Sequence, residues 1–178
     1  MALSIFLITA LVYLSGLSAA SSCCGIAPDQ EYHKTMIDLY LQAWNGDYSQ
    51  VNHTFDPSIH IYLDRVLTAN GSVSFSVQSR EEVPGFMEQA RQGWDKYSFE
   101  PVRWTDGDGY NLAVRWKFNG VMGAHFPKNT TLKEGAYVTY NGTDFLQLDP
   151  CSRLIKQVDM AQDYITLYHN LGLTEIKI

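Results

Sequence analysis

The stretch YNLAVRWKFNGVM, residues 110–122, constrains this chain more than any other, because it alternates without a break. Leu112, Val114, Trp116 and Phe118 fall on one side and polar or small residues on the other, the period-2 pattern of a half-buried strand. Three more stretches in the C-terminal half behave alike: YSFEPVRW, GAYVTYNGTDFLQL and the run from Arg153 to Asp163. Consecutive strands with short connections pair antiparallel and leave one apolar face that something must cover.

The N-terminal half supplies the cover. EYHKTMIDLYLQAW places Met36, Tyr40, Ala43 and Trp44 on one helical face, with Ile37 and Leu41 beside them. Asn45-Gly46 ends that helix, and Asp47 is expected to cap a short second one through YSQVNHTF. Asp56-Pro57 marks a break. SIHIYLDRV then alternates as a strand, with Ile59, Ile61 and Leu63 opposite His60, Tyr62 and Asp64. TANGS reads as a turn. SREEVPGFMEQARQGW reads as a helix with the capping box Ser79-x-x-Glu82 and an apolar stripe of Val83, Phe86, Met87, Ala90 and Trp94. Pro84 pushes the start of that helix toward Glu82. The order is helix, helix, strand, helix, then antiparallel strands. It predicts an α+β domain, a curved sheet with helices on one side and a pocket at the open end.

One point stays open within this pattern. Asn141-Gly142 is by local rules a type I′ hairpin turn, and equally a bulge inside one long bent strand.

At 178 residues with 46% hydrophobic composition, the chain suits one domain with a proper core. The formal charge of −6 and the absence of a Lys/Arg cluster argue against nucleic acid and anionic membrane as partners. Residues 1–20, MALSIFLITALVYLSGLSAA, carry an apolar run and a small-x-small end at Ser18-Ala19-Ala20, the form of a secretory signal. No Lys or Arg precedes the run, and a retained membrane anchor is the competing reading. Sequons at Asn52, Asn70, Asn129 and Asn141 agree with a secreted or lumenal glycoprotein. An oxidising compartment favours pairing Cys151 with Cys24 or Cys23, against free thiols. The division expected is a leader at 1–20, a cysteine-bearing tail at 21–31, a domain at 32–170 and a C-terminal tail at 171–178. No Cys/His set has zinc spacing, and phosphate loops, dinucleotide fingerprints and G-x-S-x-G are absent, so neither metal nor cofactor is expected.

From Tyr32 to Asp163 the chain resembles the NTF2-like superfamily and, within it, the SnoaL-like polyketide cyclases. The resemblance is carried by AWNGDYSQVNHTF, SREEVPGFMEQAR, YNLAVRWKFNG and GTDFLQLDPCSRLIKQVDM, in that order. It implies a conical α+β barrel, an antiparallel sheet wrapped around three helices over an apolar pocket. It also implies cofactor-free chemistry on a small apolar polyketide- or terpenoid-like molecule: ring closure or isomerisation, with lyase or epoxide-opening variants. In those cyclases an Asp on the last strand is the general acid/base, and Asp159 matches it. In the similar ketosteroid isomerases an acid one strand earlier helps hold an enolate oxygen, and Asp144 matches that. The isomerases' helix-1 tyrosine falls on Leu39, with Tyr40 next door, and their base falls on Asp64 or Tyr62. The Arg-x-Asp pattern of limonene-epoxide hydrolases is not kept in Arg115-Trp116-Lys117.

These implications meet the residues as follows. Ile155, Gln157, Asp159 and Ala161 share a strand face, and burial there would raise the Asp159 pKa toward neutrality. The competing placements are solvent, or an ion pair with Arg115 or Lys156. Asp144 points inward if Asn141-Gly142 is a bulge and is exposed if it is a turn. His60, Tyr62 and Asp64 form a polar triplet, catalytic if it faces the pocket; alternation favours its being the solvated face. His125, in the loop VMGAHFPKN, either guards the pocket mouth or is surface. Pocket walls are expected from Tyr40, Trp44, Phe86, Trp104, Trp116, Tyr137 and Gln157. The expected partner is a small-molecule substrate, with a homodimer compatible. A non-catalytic binding module with the same pocket is the rival function.

Overall fold

The computed structural model describes residues 27–68, 71–127 and 130–173. Along them run α1 (Gln30–Trp44), α2 (Val51–Thr54), β1 (Phe55–Thr68), β2 (Gly71–Val77), a 3-10 turn (Arg80–Glu82) and α3 (Val83–Arg91). Then come β3 (Trp94–Asp106), β4 (Asn111–Met122), β5 (Tyr137–Leu148), β6 (Ile155–Gln162) and α4 (Tyr164–Asn170). The strands make one sheet in the order β2-β1-β6-β5-β4-β3.

The α+β class expected from the sequence is the one found, with three corrections. The sheet is open, with β2 and β3 at its edges. It is mixed rather than antiparallel, since β1 and β6 pair parallel. The chain meanders inward from the β3 edge through β4 and β5, so β6 arrives beside β1 running the same way. And α4 is a fourth helix, started by Asp163, whose carboxylate accepts from the Thr166 amide at 3.0 Å.

Local departures have local causes. Three of the five TANGS residues are strand, Thr68 closing β1 and Gly71 and Ser72 opening β2, where Val73, Phe75 and Val77 alternate with serines in a strand paired antiparallel with β1. Ser79 makes no capping bond; instead the Glu82 carboxylate accepts from the Gln78 amide at 3.1 Å. Helix α3 begins at Val83, with Pro84 in its first turn, where a missing N–H costs nothing. Gly93, at φ +81°, ends the segment, so Trp94 opens β3 instead of closing the helical stripe. Asp47 folds onto Ser49 in a tight turn and does not cap α2.

Asn141-Gly142 is neither a turn nor a bulge. The β4/β5 register runs unbroken from Asn111↔Gln147 to Val121↔Tyr137, with Trp116 opposite Gly142. A Cβ at Gly142 would lie 2.2 Å from Trp116 Cζ2, so the indole lies across the glycine. Glycine is there for the tryptophan.

The core sits between the inner sheet face and the helices. Val114, Trp116 and Phe118 of β4, Leu146 and Leu148 of β5, and Ile59 and Ile61 of β1 pack against Met36, Ile37, Tyr40 and Trp44 of α1. The side-chain amide of Asn45 fixes α1 to β3 by mimicking a neighbouring strand. It accepts from the Phe99 N–H at 2.6 Å and donates to the Phe99 carbonyl at 3.1 Å.

Candidate active site

Strand β5 carries one anomaly on its inner face. The row Val138, Tyr140, Gly142, Asp144, Leu146 and Leu148 is buried throughout, and Asp144 is 1% exposed. Its Oδ2 accepts two hydrogen bonds, from the Tyr40 hydroxyl at 2.8 Å and from Trp116 Nε1 at 2.7 Å. Its Oδ1 is buried and has no hydrogen-bond partner among the described residues. Burial drives the carboxyl pKa up to about 7, although the bonds from Tyr40 and Trp116 favour the ionised form. An acid poised near neutrality can take a proton and return it. Tyr40, the neighbour of the helix position where the isomerases carry their tyrosine, supplies the phenol. Burial and the adjacent Asp144 raise its own pKa well above normal, so it stays a donor.

Beside this triad opens a cavity of about 470 Å³ between the sheet, α3 and α4. Its walls are mostly aromatic, including Trp44, Phe86, Tyr97, Tyr140 and Tyr164, with Gln162 among the few polar groups. Asp144 does not line the cavity, yet its charge is felt there: it adds to the upward shifts of Tyr97, Tyr140 and Tyr164, which burial dominates. Arg91 secures one wall, donating to the Trp44 and Tyr97 carbonyls at 3.1 and 3.3 Å with its guanidinium 4.9 Å from the Tyr97 ring centre.

Asp159 stands elsewhere. It is exposed on the outer sheet face, where Gln157 Nε2 donates to its Oδ2 at 2.8 Å. The expected burial is corrected, and the cause is one residue. Gln147 pairs with Gln157 but Leu148 pairs with Ile155, so Lys156 is an extra residue in β6. A bulge exchanges the faces beyond it. Ile155 points inward, but past Lys156 it is Val158 and Met160 that are buried, while Asp159 and Ala161 are exposed. Neither suggested ion pair forms, since Lys156 bonds Asp149 and Arg115 bonds Thr143.

The remaining sequence-predicted residues divide between the two faces. Trp44 and Phe86 line the cavity, whereas Tyr40 and Trp116 hold Asp144 beneath it. Trp104 packs against the core outside the cavity lining. Tyr137 is 58% exposed, and Gln157 borders a shallow outer depression of about 300 Å³ together with Asp159. His60 and Tyr62 stack on the outer face with ring centres 5.9 Å apart, opposite the buried Ile59, Ile61 and Leu63. The Asp64 side chain lies outside the described residues. His125 is exposed, and its neighbours Phe126 and Pro127 reach the cavity instead. Asn52 is exposed and Asn141 half-buried; Asn70, Asn129, Cys23, Cys24 and the leader lie outside the described residues. Among the described residues no cluster of three or more His, Cys, Asp or Glu could hold a metal, and no helix is long and apolar enough to cross a membrane. Sequence reasoning missed Tyr97, Tyr140, Gln162 and Tyr164.

By sequence, no family model and no curated protein matches the chain. By structure, solved proteins do. A protein from Shewanella putrefaciens, provisionally named a SnoaL-like polyketide cyclase, superposes with a TM-score of 0.62 at 17% identity, over 82% of this chain and all of its own. The fold is SnoaL-like. A protein of Streptomyces antibioticus, provisionally named a polyketide cyclase, gives a TM-score of 0.63 at 15% identity, over 78% of this chain and 97% of its own. A phenazine biosynthesis-related protein of Pseudomonas aeruginosa gives 0.58 at 13% identity, over 83% and 92%. At such identities the likeness is one of fold. The SnoaL-like architecture hosts more than one role, so this chain's role rests on its own site.

Proposed function

We propose that the protein is a cofactor-independent cyclase or isomerase acting on a small, largely apolar molecule held in the aromatic cavity, with Asp144 as its general acid/base. The observation that carries this reading is the inward carboxyl at a pKa of about 7, doubly bonded at Oδ2 and unpartnered at Oδ1, next to a cavity of substrate size. Tyr40 and Trp116 fix the carboxyl so that Oδ1 is the reactive oxygen. Ionised Asp144 takes a proton from carbon next to a ligand carbonyl, and the acid so formed returns it at the new position. Substrate binding has to open the cavity floor onto Oδ1, and side-chain changes of that size are common on binding.

A second reading, a non-catalytic binding module, is favoured by a specific pair of observations. Asp159 is in solvent, and Asp144 is sealed from the cavity. One substitution separates the two. Asp144→Asn keeps the shape and the Oδ2-type acceptor, so an enzyme loses about 10²-fold or more of its turnover with ligand binding retained. Candidate substrates are found by comparing metabolites with and without the protein; unchanged turnover of that substrate in Asp144→Asn contradicts the acid/base role.

Secretion, glycosylation at the sequons and a Cys151 bridge to Cys24 or Cys23 belong to the same proposal. Glycosidase digestion and non-reducing mass analysis of the protein from its native source test them.

A further inference from the structure

Among the described residues, the lining of the aromatic cavity contains no Asp, Glu, Lys, Arg or His. Its polar groups besides the tyrosines are the indole N–H groups of Trp44 and Trp94 and the side chains of Gln89, Gln92 and Gln162, and among the described residues Trp44 Nε1 is buried without a hydrogen-bond partner. Gln89 and Gln92 are exposed, whereas Gln162 is half-buried and ends the inward row Val158, Met160, Gln162 on β6. A polar residue at a position whose row is otherwise apolar calls for a partner.

Half of that partner is present. The Tyr140 hydroxyl donates to Gln162 Oε1 at 3.0 Å. Tyr140 is 8% exposed, and this is the acceptor its phenol proton has. With the amide turned round, Nε2 would face the phenol oxygen and the phenol proton would lose its acceptor, so the orientation is set by the network. That leaves the Nε2 hydrogens of Gln162 with no protein acceptor among the described residues, on a residue that faces the cavity. Gln162 also pairs with Gly142, while Asp144 pairs with Met160, so amide and carboxyl are diagonal neighbours on the same sheet face.

We infer that Gln162 recognises the ligand, its amide N–H group donating to a carbonyl oxygen of a flat, uncharged molecule. This rests on the cavity being a ligand site, as proposed above, and names what that site selects. A site that keeps a donor waiting penalises a ligand unable to accept from it, because the donor is then buried unpaired. Without a cation in the lining, and with the Asp144 carboxyl close by, a carboxylate-bearing ligand is disfavoured. Tyr140 is a positioning residue that holds the amide in its donating orientation.

The test uses 9-fluorenone and fluorene, two flat molecules of one shape that differ by a ketone. Quenching of Trp44 and Trp94, both in the lining, reports binding to the purified full chain. Fluorenone is expected to bind roughly fivefold or more tighter than fluorene, the effect of one neutral hydrogen bond. Gln162→Met abolishes that preference, and fluorene, which no longer leaves an amide donor unpaired, binds tighter than to the wild type. Tyr140→Phe reduces the preference, since the amide is then free to turn. In the wild type, the ketone stretch of bound fluorenone also shifts to lower wavenumber than in hexane, a readout that needs no variant. An unshifted stretch, equal binding of the two probes, or a preference that survives in Gln162→Met overturns the inference while leaving the cavity a binding site. If neither probe binds the wild type, the inference fails together with the ligand-site reading.

Discussion

Asp144 and Asp159 lie on adjacent strands, and the register places Phe145 opposite Asp159 and Asp144 opposite Met160. The two carboxylates are thus close in the ladder and opposite in circumstance. Asp144 faces the core with two donors on one oxygen, and its pKa is raised to about 7. Asp159 faces outward beside Gln157. The chemistry of an aspartate is set here by which side of a sheet it occupies, and that side by whether Lys156 counts in the pairing.

The harshest way to break this comparison is to insert one alanine between Gln157 and Val158. The added residue either drives Asp159 and Ala161 into the core row in place of Val158 and Met160 or tears β6 from β5. Uncompensated burial of one charge alone is worth roughly 3–5 kcal/mol. Loss of the cooperative unfolding transition is expected, and denaturant melts followed by circular dichroism check it.

Next in size is a pH effect confined to the inner acid. The Asp144 pKa is raised from 3.8 unfolded to about 7 folded, so between these values the folded state holds the extra proton. Stability from this group is therefore present below pH 3.8 and lost as pH rises through 7, amounting to roughly 4 kcal/mol at 1.36 kcal/mol per unit. Other acids slope the opposite way: amide hydrogen bonds and Lys156 hold Asp149 at about 2, so its contribution is lost as pH falls toward 2. The signature is a difference, because wild type falls relative to Asp144→Asn on going from pH 4 to 8. Parallel urea titrations of the two proteins measure it, and parallel curves at all pH values would refute the raised pKa.

Gly142→Ala is the smaller lever. Its Cβ would strike the Trp116 ring, and overpacking of this kind costs about 1–3 kcal/mol. The displaced indole should also weaken its bond to Asp144, which the indole N–H chemical shift reads. Smallest of all, Asp159→Asn is expected to change stability by no more than about 0.5 kcal/mol, as exposed substitutions do, and to leave turnover intact. A large loss of turnover there would return the chemistry to the outer face.

The sequence made the architecture legible where periodicity was long. Residues 110–122 alternate over their whole length, and β4 spans nearly all of them. The helical face of Met36, Tyr40 and Trp44 is likewise the buried face of α1. The fold failed to show where the signal was short or broken. The serines between Val73, Phe75 and Val77 masked β2, and α4 has only 7 residues. In the site, alternation across β5 already put Asp144 in line with Val138, Tyr140, Leu146 and Leu148. Asn-Gly, the strongest local turn signal, obscured it, because the reason for that glycine is a tryptophan on another strand. Asp159 failed for the reverse reason: its face was extrapolated from Ile155 across a bulge that nothing local announces. Gln162 was invisible until the same bulge turned it inward.

All of this converges on the ionisation of one side chain. Carbon-13 labelling of the aspartates, with each carboxyl followed from pH 3 to 9 and Asp144 assigned by its absence in Asp144→Asn, reads it directly. The expected result is a midpoint near 7 for Asp144. A midpoint near the ordinary aspartate value of about 4 would place that carboxyl in water and remove the basis for giving it the chemistry.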